Sequence, residues 1–177
     1  MFDSDILALD ISAARLGWAF GSPGARPASG SIVLKHEGSS HEAIGARAFD
    51  WYVDFLKVSP PKLVVWEAPV APSFNVGKTN IDTFTILFGL PFLIGAVTYK
   101  RGIYDIRKAA VSAVRCYFIG KNYKGEIAKP MTVARCNELG WAPSDHDAAD
   151  ALAVWAYQVK LLRPDVAPPA FKEARKK

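Results

Sequence analysis

The sequence predicts an α/β domain: a mixed five-stranded sheet, three antiparallel strands followed by parallel ones, with helices on both faces. Two observations lead there. Three short apolar runs near the amino end, separated by Gly, Pro and Ser, read as an antiparallel meander. After them, helical and strand-like segments alternate, the order that extends a sheet by parallel strands. With 177 residues, 50% of them hydrophobic, the chain is long enough for one core that buries about 70% of the unfolded surface.

The meander comprises DILALD (Asp5 to Asp10), Gly17 to Phe20, and Ser29 to Leu34. From Ser40 to Val58 the residues Ile44, Phe49, Val53 and Leu56 recur at spacings of one helical face, with Ser39 or Ser40 as N-cap and Pro60-Pro61 as terminator. KLVVWEAP is an apolar run bounded by prolines, the signature of a strand buried on both faces. A helix is expected from about Asn80 to Arg101, bent or interrupted at Pro91 and stopped by Gly102. IYDIR (Ile103 to Arg107) is the fifth strand, and Ala109 to Ile119 a helix that Gly120 can close. Lys121 to Lys129 reads as a basic loop, Pro130 to Leu139 as a helix, and His146 to Leu162 as the last long helix. Residues 1–163 thus form the domain, and 164–177, rich in proline and then in basic residues, a loosely held tail.

Composition narrows the function. Lys and Arg number 22 against 17 Asp and Glu, a formal charge of +5 and a pI near 9.2, which favours a polyanionic partner. Cys116 and Cys136 are far apart and form no metal-binding spacing, which fits a reducing compartment. The amino end MFDSDILALD has neither a basic region nor a long apolar stretch, so no secretory signal and a cytoplasmic setting are expected. Phe84 to Val97 is apolar but shorter than the roughly 18 residues of a spanning helix, so it reads as core or as a subunit interface.

Acidic residues stand in unusual places. Asp10 ends the first strand on the face of Ile6 and Ala8, so its carboxylate either starts the next turn or points from a packed surface. Glu67 ends LVVW, at the strand edge where α/β sheets bind ligands, or makes a strand-end salt bridge there. In SDHDAADALAVW, Asp147 and Asp150 share a helix face that continues with Ala151 and Val154, while Ala148, Ala149, Leu152, Trp155, Ala156 and Val159 gather opposite. Capping by Ser144 or Asp145 and the favourable N-terminal position explain Asp147 but not Asp150. Four carboxylates brought together would repel one another without cations. Two hard divalent ions would relieve that, and would suit phosphodiester hydrolysis inside a basic protein.

The stretches LALDISAARLGWAF, VVWEAP and HDAADALAVWAY, in this order, resemble the RuvC family of Holliday junction resolvases in the RNase H-like superfamily. The likeness runs from about Asp5 to Tyr157. It implies an RNase H-like sheet and a metal site formed by Asp10, Glu67, Asp147 and Asp150. It also implies two Mg²⁺ ions per site, with Mn²⁺ as a substitute, and hydrolysis of DNA that leaves a 5′-phosphate and a 3′-hydroxyl. The partners it implies are branched, four-way DNA and a second copy of the chain. Ile11-Ser12 replaces the family's Pro-Gly after the first aspartate. His146 would touch a metal-bound water or cap the helix. Lys129 would stabilise developing charge or clamp a phosphate. Lys78, Lys121 and Lys124 are candidates for the DNA backbone, Tyr123 for stacking, and Phe74 for a wedge into an opened junction or for packing under its own loop. The competing expectations are a nuclease of structured RNA and a non-catalytic nucleic-acid scaffold.

Overall fold

The computed structural model describes residues 4–69 and 81–171. Five strands, β1 (Ile6–Ile11), β2 (Arg15–Gly21), β3 (Ala28–Val33), β4 (Leu63–Glu67) and β5 (Asp105–Ala109), form one sheet in the order β3-β2-β1-β4-β5. The β1–β2 and β2–β3 pairs are antiparallel, and the β1–β4 and β4–β5 pairs parallel. This is the expected mixed sheet, with β1 at its centre where strand direction changes.

Period-two alternation divides the strands between two cores. Leu7, Leu9, Val64 and Trp66 face α1 (His41–Val58) and α2 (Ile81–Lys100). Ile6, Ala8, Ala19, Leu63 and Val65 face α3 (Val111–Ile119), α4 (Gly125–Glu138) and α5 (His146–Leu162). Helices therefore cover both faces, as the apolar character of β1 and β4 requires.

Several local expectations shift. The buried face of α1 is Ile44, Ala48, Tyr52 and Leu56, a strict i, i+4 row capped by Ser40, whereas Phe49 is 42% exposed. A row containing Ala48 and Tyr52 brings α1 close enough to α2 for the Tyr52 hydroxyl to bond that of Thr98 at 2.6 Å. α2 runs unbroken through Pro91. Strand β5 lies two residues further along than IYDIR, and α4 starts at Gly125, so Lys129 sits within a helix rather than in a basic loop. Pro130 is the sixth residue of α4, so the helix runs through it without the bond its amide would have made to the Glu126 carbonyl.

α5 is buried nearly all round, from Ala148 through Ala156, because the sheet lies on one side and α3 and α4 on the other. The face that carries the aspartates is thus, from Ala151 and Val154 onward, as enclosed as its opposite. After α5 the chain does not simply trail away. Tyr117 donates to the Pro168 carbonyl, Arg135 Nη2 to that of Pro169 at 2.8 Å, and the Phe171 amide to that of Tyr117 at 3.1 Å. Residues 164–171 are held against α3 and α4, and the basic end lies outside the described residues. Among the described residues no helix is long and apolar enough to cross a membrane.

Candidate active site

The parallel register sets Ile6 opposite Leu63 and continues in step to Leu9 opposite Trp66. One residue further, Asp10 and Glu67 stand at the same level on neighbouring strands. Both continue the parity of the residues under α5, so both carboxylates leave the sheet on that side. They sit at the carboxyl edge beside the switch in strand direction, where the ends of adjacent connections part and leave a crevice.

α5 meets this edge with its first turn. Gly17, the β2 partner of Asp10, is what permits the approach: a Cβ there would lie 2.0 Å from the carbonyl oxygen of Asp147 and 3.2 Å from the amide of Ala148. Asp145 is the N-cap, its Oδ1 accepting from the Ala148 amide at 2.9 Å. Asp147 and Asp150 follow on the turns above the strand ends. His146, the first helical residue, is exposed.

Charge ties the four acids into one unit. Asp10 is raised well above the usual carboxylate range, by burial first and then by the charges of Asp150, Glu67 and Asp147, against the opposing pull of Lys129. Burial and then Asp150 push Glu67 up to about 7, with Arg115 opposing. Burial pushes Asp150 up to about 6, although Lys129, Arg115 and His146 favour its charged form and only Asp147 adds to the rise. Burial is the leading cause in all three. An open depression of about 220 Å³ lined by Asp10, Glu67, Ala68, Pro69 and Val111 adjoins them.

Two arginines join the site that periodicity and motif reading passed over. Arg115 of α3 influences Glu67 and Asp150 and donates to the Tyr123 carbonyl at 3.0 Å, tying the loop before α4 to the acidic edge. Arg15 of β2 places Nε 3.0 Å from Asp147 Oδ2 and Nη2 2.8 Å from Asp145 Oδ2. Neither belongs to an apolar pattern, and each becomes meaningful only when distant segments meet.

The chain matches no protein-family model and no curated protein. Solved structures do match. It is 15% identical to Thermus thermophilus RuvC, with a TM-score of 0.65, covering 93% of this chain and 99% of that one. Against T. thermophilus RuvC in complex with a Holliday junction substrate the identity is 16% and the TM-score 0.69, covering 94% and 99%. The fold is that of RuvC. The yeast mitochondrial Holliday junction resolvase Ydc2 matches at 14% identity and a TM-score of 0.57, over 90% of this chain and 81% of that one.

Within this RuvC fold the donor set suits a hard cation. The acids are all oxygen ligands, and their mutual repulsion is what a bound divalent ion would remove. Among the described residues no three His, Cys, Asp or Glu side chains converge on one point.

The other candidates are placed unevenly. Lys129 faces the acids closely enough to influence Asp10 and Asp150. Lys121 and Lys124 are exposed in the loop tied by Arg115. Tyr123 is partly buried against the core, with the Lys121 ammonium 5.9 Å from its ring centre. Phe74 and Lys78 lie outside the described residues.

Proposed function

We propose that the protein is a metal-dependent endonuclease that resolves branched, four-way DNA. The observation carrying this is the meeting of Asp10, Glu67, Asp147 and Asp150 at one edge of a RuvC fold, with three of them held above their ordinary ionisation range by burial first and then by neighbouring carboxylates. Asp10, Glu67, Asp147 and Asp150 would hold the ions. Bound Mg²⁺ supplies an activated water and neutralises charge on the scissile phosphate. Lys129 adds a fixed positive charge beside the acids, where a phosphate entering the depression gains negative charge during reaction. Arg115 holds the exposed lysines of the loop before α4 beside the same edge, suited to the DNA backbone. His146, exposed and close enough to Asp150 to influence it, is suited to exchanging a proton with solvent near the reacting oxygens.

Paired cleavage needs two sites, and α2 offers a contact for a second copy. Phe84, Phe88 and Phe92 form an outward row at i, i+4 and i+8, with Phe92 79% exposed and the Phe84 and Phe88 ring centres 4.5 Å apart. A groove of about 660 Å³ lined by Trp66, Phe88, Phe92 and Lys108 adjoins that row and contains none of the four acids. Burying three phenylalanines against a partner would give the apolar centre that dimer interfaces have.

The deciding experiment offers purified protein, with Mg²⁺, labelled four-way junctions, linear duplex and structured RNA. Paired nicks confined to the junction support resolution. Preferential RNA cutting would replace DNA as the substrate, and junction binding without cleavage would leave a scaffold. Asp147→Asn is expected to abolish cleavage while junction binding persists.

A further inference from the structure

We infer that Arg15 is a positioning residue for the metal site: it holds Asp147 in place from a network anchored on the β1–β2 turn. This rests on the metal site proposed above. The network begins at Ser12, where the sequence departs from the RuvC pattern. The Ser12 hydroxyl donates to the Arg15 carbonyl at 2.7 Å and accepts from the Arg15 amide at 3.1 Å, closing the turn and fixing the arginine's backbone. The guanidinium is then held independently of Asp147. Nη2 donates to Ser31 Oγ at 2.6 Å and to Asp145 Oδ2 at 2.8 Å, and the Ser31 hydroxyl in turn donates to Asp145 Oδ2. Asp145 is also the cap of α5.

Against this frame Nε, a buried nitrogen with no aligned hydrogen bond, lies 3.0 Å from Oδ2 of Asp147 and pairs with it by charge, the arginine side chain 37% exposed and the aspartate 19%. Because Ser31, Asp145 and the Ser12 turn keep the guanidinium in place, metal entry need not release it. One carboxylate oxygen stays fixed, and the aspartate meets the ion already oriented. Outer groups that orient metal ligands typically raise affinity about 10- to 100-fold. A cation acting only through its charge would do the reverse and weaken binding of a divalent ion.

The opposite signs make the role testable without DNA or cleavage. Free Mn²⁺ is measured by electron paramagnetic resonance during titration of wild type, Arg15→Ala, Ser31→Ala and Asp147→Asn, each with its metal-free circular dichroism spectrum recorded. Arg15→Ala is expected to weaken Mn²⁺ binding about tenfold. Ser31→Ala, which changes no charge and leaves the arginine present, is expected to weaken it about fivefold, the equivalent of one hydrogen bond. Unchanged or tighter binding in both variants with native spectra overturns the positioning role while leaving the metal site intact. If Arg15→Ala misfolds, Ser31→Ala alone decides. Wild type that binds no Mn²⁺, or binds it no better than Asp147→Asn, overturns both the role and the site.

Discussion

Relieving one charge in the acidic cluster should stabilise the metal-free protein, increasingly as pH rises from 4.5 to about 7 and fully above that. Glu67 is the clearest subject, because burial and the neighbouring Asp150 push its carboxyl from 4.5 to about 7. A raised folded-state value means the protonated form is favoured on folding. The associated stability is complete below pH 4.5 and is lost as pH rises through about 7. At about 1.4 kcal/mol per pH unit, the loss by pH 8 is roughly 3 kcal/mol. Asp150 shares the repulsion, so part of the relief belongs to the pair, and about 2 kcal/mol is the reasonable expectation for one substitution. Glu67→Gln keeps the shape and removes the charge. In EDTA at pH 8 it should unfold at higher denaturant, with a melting temperature about 4–8 °C above wild type. At pH 4 the two proteins should coincide, since wild-type Glu67 is then neutral as well. Saturating Mg²⁺ at pH 8 should narrow the gap, because an ion that binds only the folded wild type stabilises it by mass action. A gain of equal size at both pH values, or none at pH 8, would refute the account of Glu67 as a carboxylate raised by burial and the neighbouring Asp150.

Other outcomes follow from single contacts. Gly17→Ala places a methyl group 2.0 Å from the Asp147 carbonyl oxygen, so α5 must move away from β2; a destabilisation of about 1–3 kcal/mol by denaturant titration is expected, together with loss of cleavage. Lys129→Ala should lower the cleavage rate by about 10²-fold, the low end for removing a charge-stabilising donor, while junction affinity in a gel-shift assay changes far less. Phe92→Glu should shift a dimer to monomer in sedimentation without altering the circular dichroism spectrum, because the side chain is mostly outside the monomer's core.

Strand patterning made much of the fold legible, because a strand buried on both faces needs little beyond its own residues to be recognised. DILALD and KLVVWEAP became β1 and β4, and the side of the sheet on which Asp10 leaves followed from parity with Ile6 and Ala8. Helix faces were less certain. Phe49 fits the spacing of an apolar stripe, yet the close approach of α1 to α2 selects Ala48 and Tyr52 instead. The start of α4 was hidden because Gly125 and Pro130 are residues that usually mark a loop, and packing of Ala128 and Thr132 overrides them.

The division at the site itself has the same physical cause. An aspartate in an apolar run is conspicuous wherever it occurs, because burying a charge is costly and calls for an explanation in local sequence alone. Asp10, Glu67, Asp147 and Asp150 could therefore be singled out from their immediate neighbours. Arginines on a basic protein carry no such mark. Arg115 and Arg15 acquire a role only from what folding brings near them: Glu67 and Asp150 for the first, and a cap and a carboxylate 130 and 132 positions away for the second. Local sequence determined which charges were out of place, since burial of a residue and its strand neighbours is a nearest-neighbour property. Tertiary structure decided which opposite charges answer them, since electrostatic partnership depends on distance in space and not along the chain.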